Sequence, residues 1–528
     1  MAEAEQPAAS QRMTVALPAL VLCLLAAWGA APLLFLVAKA QAAGASISAG
    51  PGVFIADQLQ YLSWIRSASD HFFAANGFDL RPGGHVFVHP MFTLSGLAVR
   101  AGLSLPLSLV LWTPIAAGTL FYGCLAYIRH TVDSRRGRGA ALMLAIFFVS
   151  PVTPFLTWAA NPGRIAELSG ELSPADELWG YAPIVLTIGL MPLFLLGLER
   201  MLGSSEGETA HGRRWYVGAT SLAGLLVSWL HPWQGETLLL IVAGLVVWSK
   251  LWRRWKELVL PVFATITPLL YYFALSKLDG AWRLAQAQTP LSRPSVWVLL
   301  LATAPLAILA VLGRPRGALV ARERLLLLWP IASLSVYLVF ATSYPPHALE
   351  GLSLPLAVLA VRGWGRLGLP SALALIAVLA LTVPGLLSTA DFYRRAVDAG
   401  DQPYLLRPAE LRALAFIDRA PDSGGVLPSP TIAAVVPAYT GHRSWRGHGI
   451  WTPGDKRRAG IASDLFAGRV RTAQAGPLLQ QIGARYILAD CNVAGDLTAT
   501  LGGLLLRRHG FGCATVYELR LMGGPGKL

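Results

Sequence analysis

Asp57 stands in the run Phe54-Ile55-Ala56-Asp57-Gln58-Leu59-Gln60-Tyr61-Leu62, and apolar positions continue through Trp64, Ile65 and Ala68 at helical spacing. A carboxylate placed there can favour the positive end of a helix, or it can accept a proton from a reacting hydroxyl as a general base. Asp70, His71, His85 and the pair His89-Pro90 follow. A second polar group is Asn161, Arg164, Glu167, Glu171, Asp176 and Glu177. After Ser173-Pro174, the pair Asp176-Glu177 reads either as a metal or acid/base pair or as the first turn of a helix. A third group is Trp229-Leu230-His231-Pro232-Trp233-Gln234-Gly235-Glu236, and a fourth is Ser343-Tyr344-Pro345-Pro346-His347-Ala348-Leu349-Glu350-Gly351. His231 and Glu236, five apart on a turn, are not a metal motif. The cations Lys277, Arg283 and Arg293 suit either plain solvation or a phosphate. No Cys/His spacing suits zinc, and no P-loop or dinucleotide fingerprint is present, which argues against ATP-driven transport.

The elements that carry these groups follow from composition. Of 528 residues, 54% are hydrophobic and 14% charged, with net charge +14. That apolar excess points to many membrane spans. The Lys and Arg residues sit in short runs between apolar stretches, the pattern of topology signals and not of a nucleic-acid face. Eleven spans are expected at about 16–38, 106–128, 139–157, 181–199, 215–230, 235–249, 258–276, 295–312, 325–342, 348–361 and 368–390. The Pro151 and Pro154 stretch suggests a broken or re-entrant helix. With the N-terminus cytoplasmic, 18 Lys/Arg fall on short inner loops and 8 on the longer outer ones. The polar groups above all then lie outside, and an ionisable residue at such an interface is a functional candidate. The hairpin at 229–236 and the segment at 343–351 equally suit an aromatic belt.

The expected domains are a transmembrane region, 1–390, with a long first outer loop at 39–105, and an extracytoplasmic α/β domain, 391–528. In the latter, strands are expected at Gly425 to Leu427, Arg485 to Ala489 and Thr515 to Leu519, and helices at Pro408 to Arg419, Gly460 to Phe466 and Gly495 to Arg508. Cys23 and Cys124 read as small core residues of spans. A Cys491–Cys513 bridge is open: parallel neighbouring strands would set the two residues at opposite sheet ends, beyond the roughly 7 Å limit.

This layout resembles the GT-C superfamily of integral-membrane glycosyltransferases, such as the protein O-mannosyltransferases, the lipid A aminoarabinose transferase and the arabinosyltransferases. In that family the loop after the first span carries a catalytic acid, often in an acidic pair followed by Tyr. Asp57, Gln58 and Tyr61 match that placement, with Gln58 replacing the second acid. The tail resembles outer domains of bacterial members at Val426 to Ser429, Val436-Pro437-Ala438-Tyr439-Thr440-Gly441-His442-Arg443, and Gly447-His448 with Thr452 and Lys456. The resemblance implies an α-helical polytopic protein of a bacterial plasma membrane that transfers a hexose or pentose from a polyprenyl-phosphate-linked donor to a glycan, lipid or protein acceptor, with no nucleic-acid partner. Asp57 would be the base. Gln58, Tyr61, His89, Arg164, His231, Trp233, Gln234, Glu236, Arg283, Tyr344, His347 and Glu350 are the expected substrate-binding set, with His231, His347, Arg164 and Arg283 on the phosphate and Trp64, Trp233 and Tyr344 on sugar faces. No cofactor is assigned: a divalent metal is possible, but the acidic motif does not support it, because Gln58 replaces the second acid, and no metal ligand is named. Two other readings fit many spans and a polar cavity: a lipid-linked-glycan transporter, and a non-catalytic envelope-assembly protein.

Overall fold

The computed structural model describes residues 6–81, 83–150, 168, 170–203, 210–291, 293–340, 343–421 and 424–520. Among the described residues, seven helices are long and apolar enough to cross a bilayer: Leu17–Ala43, Leu105–Thr131, Ala182–Gly203, Leu251–Leu278, Val296–Gly313, Ala321–Phe340 and Ser371–Ala399. The chain is a multi-pass membrane protein. The other four expected spans fall on Arg135–Phe147, Ala210–Leu230, Pro232–Ser249 and Ser353–Leu367, which are shorter or more polar. Pro151 and Pro154 lie outside the described residues. Leu20, Leu24, Phe263, Leu270, Ile308 and Val311 are exposed on the long helices, the surface that lipid would cover. Cys124 is buried, as expected of a core residue, but Cys23 is exposed, because its helix turns that position outward.

Two compact units make up the chain. The first comprises Met1–Ala31, Trp112–Phe273 and Pro290–Phe392; the second comprises Pro32–Leu111, Ala274–Thr289 and Tyr393–Leu528. One division falls between Phe392 and Tyr393, and residues 32–111 group with the tail.

In the first unit, Val296–Gly313 packs on Ser353–Leu367 through two glycines. A Cβ on Gly363 would lie 2.0 Å from the Leu309 carbonyl oxygen, and one on Gly313 would lie 1.8 Å from that of Leu359. The two backbones therefore touch, as small residues allow in membrane helix pairs. The segment 170–180 is pinned by a stacked pair, Trp28 and Trp179, with ring centroids 4.3 Å apart. Trp28 Nε1 donates to the Ala175 carbonyl at 2.9 Å, and Trp179 Nε1 donates to that of Trp28 at 2.8 Å.

Among the described residues, the second unit holds six strands: β1 (Ser46–Ile47), β2 (Leu405–Leu406), β3 (Val426–Pro428), β4 (Tyr486–Ala489), β5 (Leu505–Gly510) and β6 (Thr515–Leu519). β1 pairs antiparallel with β2, tying the segment after the first long helix to the tail through its backbone. The others form one sheet in the order β3-β4-β6-β5, parallel between β3 and β4 and antiparallel elsewhere. Leu427, Ile487 and Tyr517 of the sheet bury against Leu465 and Leu479 of the flanking helices.

Two tail expectations are settled by this topology. Because β4 and β6 run antiparallel with Ala489 opposite Thr515, the residues just after β4 and just before β6 share one sheet end. Cys491 and Cys513 stand there with Cα atoms 4.7 Å apart and are bridged. The helix expected at Gly495 to Arg508 shrinks to one turn, Thr498–Leu501, and a 3-10 turn, Gly502–Leu504, before the chain enters β5. Gly502, at φ +49°, breaks the helix, and Leu505 to Gly510 gain a strand partner in β6.

Candidate active site

The second unit builds one polar constellation around Asp57. The residue lies in the first turn of the helix Ile55–His71, which packs on Pro90–Arg100 and Val435–Thr440. His448 Nε2 lies 2.8 Å from Asp57 Oδ1, with side-chain exposures of 10% and 34%. The backbone N–H of Ile450 donates to His448 Nδ1 at 3.3 Å, so that nitrogen accepts and Nε2 carries the hydrogen. Around the pair sits an aromatic wall. Trp451 meets Trp64 at 5.3 Å and Trp282 at 5.1 Å, while Phe87 meets Trp64 at 4.7 Å and Trp282 at 4.9 Å.

The other expected residues of this unit are placed as follows. Gln58 is buried against the 50–52 turn, where a Cβ on Gly52 would lie 2.5 Å from its Cγ. Tyr61 packs its ring on Phe92 at 5.0 Å. His89 is buried, stacks on Phe92 at 4.3 Å and precedes Pro90 as the cap of Pro90–Arg100. Arg283 stands exposed on the helix Gly280–Gln288, whose start is capped by Asp279 through the Ala281 and Trp282 N–H groups.

The first unit builds a second constellation. His231 caps the helix Pro232–Ser249, with Pro232 at its first position, where a missing N–H costs nothing. The 3-10 turn Pro345–Leu349 brings His347 to it, the rings meeting edge to face at 4.9 Å. His231 Nδ1 hydrogen-bonds Gln234 Oε1 and lies 3.3 Å from Glu350 Oε2. His347 Nδ1 lies 2.6 Å from Glu350 Oε1 and 2.9 Å from Glu171 Oε2. Gln234 Nε2 donates to the His347 carbonyl at 2.7 Å, and Trp233 Nε1 donates to that of Ser343 at 2.8 Å. Tyr344, at φ +32°, turns the chain into this cluster and lays its ring 4.4 Å from that of His347. Glu236, one turn into its helix, keeps a buried Oε2 with no hydrogen bond among the described residues. Arg164 lies outside the described residues.

Burial acts on the carboxyls of the adjoining segment 171–177. It raises Glu177 well above the usual carboxylate range, and the nearby charges of Glu171 and Glu350 add to the effect. Burial also acts to raise Glu171, but the His347 charge and hydrogen bonds from His347, Glu350 and Tyr344 outweigh it, and that carboxyl is lowered. Asp176, bonded by Thr389 at 2.9 Å, is pushed by burial up to about 7.

Six of the expected residues, His231, Trp233, Gln234, Tyr344, His347 and Glu350, thus meet in one place. Two residues that no spacing could reveal join the two sites: Glu171 on the cluster, and His448 on Asp57. The cluster is acid-rich, which makes it a poor seat for a phosphate by itself. It does present two imidazoles and a carboxylate whose ligand atoms lie within 4.8 Å of one another, a nitrogen and oxygen set of the kind divalent cations take. Among the described residues, Glu350 Oε2 is buried without a hydrogen bond, with His231 Nδ1 3.3 Å away, and the two atoms are placed as a pair of ligands would be.

No family model and no curated protein matches the sequence. Solved structures do. ArnT from Cupriavidus metallidurans bound to undecaprenyl phosphate superposes with a TM-score of 0.50 at 12% identity, over 97% of this chain and 98% of that one. The fold is GT-C. Also similar to this GT-C chain are apo ArnT from the same organism, at TM-score 0.49, 12% identity and 93% and 98% coverage, and the oligosaccharyltransferase AglB from Archaeoglobus fulgidus in complex with an inhibitory peptide and a dolichol-phosphate, at 0.47, 13%, 90% and 69%.

Proposed function

We propose that the protein is an integral-membrane glycosyltransferase that moves a hexose or pentose from a polyprenyl-phosphate-linked donor to an extracytoplasmic glycan, lipid or protein acceptor. The observation that carries this reading is Asp57, an acid in the first turn of the first long outer-loop helix, partly exposed, with His448 Nε2 2.8 Å from its Oδ1. The GT-C fold, found in a protein holding undecaprenyl phosphate, supports it.

In the reaction, the acceptor hydroxyl gives its proton to the Asp57 carboxylate as its oxygen bonds to the anomeric carbon. The bond from that carbon to the phosphate oxygen breaks, and its electron pair leaves on the polyprenyl phosphate. The products are the glycosylated acceptor and polyprenyl phosphate, with the proton passed from Asp57 to the medium or the phosphate. His231, His347 and Glu350 would hold a divalent cation. Such an ion supplies positive charge that the acid-rich cluster lacks.

Purified protein in nanodiscs, supplied with a panel of polyprenyl-phosphate sugars and an envelope acceptor fraction, tests the reading. Asp57→Asn is expected to lower turnover about 100-fold or more. Full transfer by that variant removes Asp57 as the base, and absence of both donor hydrolysis and transfer by the wild type removes the enzyme reading.

A further inference from the structure

We infer that His448 of the tail is the positioning residue for Asp57, so that the α/β domain supplies half of the general-base unit. The inference deepens the reading of Asp57 as the base and rests on it.

The loop that carries His448 is held on three sides within its unit. Gly447 lies against the buried Phe78 ring: a Cβ there would come within 2.3 Å of Phe78 Cδ1, so a larger residue would lift the loop away. The Gly447 N–H donates to Thr452 Oγ1 at 3.1 Å, closing the loop on itself. Asn76 Nδ2 donates to the Trp451 carbonyl at 2.9 Å, and Gln288 Nε2 donates to those of Ile450 at 2.7 Å and Thr452 at 3.1 Å. Trp451 is wedged between Trp64 and Trp282. Three separate stretches of chain therefore converge to fix one short loop, far more than a solvent turn needs.

What the loop presents is one imidazole in one tautomer. With Nδ1 accepting from the Ile450 N–H, the Nε2–H must point at Asp57 Oδ1. A neutral donor in that place orients the carboxylate without supplying a competing base. His448 thus acts through Asp57 and takes no proton itself.

Transfer kinetics in a double-mutant cycle decide the matter. His448→Ala is expected to lower kcat about 10- to 100-fold with the donor KM unchanged. His448→Gln, whose amide can donate at similar reach, should recover to within about 3-fold of the wild type. In an Asp57→Asn background, His448→Ala should cost less than about 2-fold, because the carboxylate it orients is gone. Equal losses in both backgrounds, or a loss that falls on KM alone, overturn the positioning role. If Asp57→Asn is fully active, the base reading itself has failed; if Asp57→Asn is impaired while His448→Ala is not, only this inference has. Should His448→Ala fail to fold, as judged by its Cys491–Cys513 bridge and detergent chromatography, His448→Asn and His448→Phe carry the same cycle.

Discussion

The imidazoles of His231 and His347 meet edge to face with ring centroids 4.9 Å apart, and the carboxylate of Glu350 reaches both. One histidine caps a long helix and the other sits on a 3-10 turn beside it, so the backbone and not side-chain mobility sets their separation.

A divalent cation is expected at these two histidines. Protein stripped with chelator and dialysed against zinc should retain about one equivalent by elemental analysis, and His347→Ala or Glu350→Gln should lose it while remaining monodisperse. Retention of the metal by both variants would show that the cluster is not its seat.

The bridge between Cys491 and Cys513 closes a loop with a sequence separation of 22. Loop entropy assigns it about 3 kcal/mol. The double Cys491→Ala/Cys513→Ala variant should accordingly unfold its tail at lower denaturant, read as protease susceptibility of the purified full chain. An unchanged midpoint would mean that β4–β6 pairing alone holds that sheet end.

Asp176 makes stability depend on pH. Its folded carboxyl titrates near 7, above its unfolded value, so the native state binds the proton more tightly. The resulting stabilisation is complete below the unfolded value, falls as pH rises, and is gone above about 7; its full size is at most about 4 kcal/mol. Melting temperature in detergent should decline from pH 5 to pH 8. Asp176→Asn, which keeps the hydrogen bond to Thr389 without the charge, should flatten that decline, and a slope like that of the wild type would refute the assignment.

At the Gly363 contact, backbone meets backbone. Gly363→Val should destabilise the protein by about 1–3 kcal/mol through overpacking, seen as a lower melting temperature, whereas Gly365→Ala, with open space around its Cβ, should be neutral. Equal behaviour of the two would contradict the close approach.

Much of this protein was legible in its sequence because the bilayer imposes one-dimensional rules. Long apolar runs become helices wherever lipid leaves the backbone no other partner, and each of the eleven expected runs lies on a helix or begins on one. Asp57 was legible for a similar reason, since an acid at the head of an amphipathic helix follows from spacing alone. What the order of residues did not contain was pairing at long range. His448 lies 391 positions from Asp57, and Glu171 lies 176 from His347, and no period or motif links them. The Cys491–Cys513 bridge turned on whether β4 and β6 run parallel or antiparallel, a choice made by sheet assembly. The strand at Leu505–Gly510 overrode a helical pattern because β6 offered its backbone a partner. Local physics determined which segments are helices and which residues are chemically able; only the tertiary fold, by closing distant segments on one another, decided which of those residues stand together.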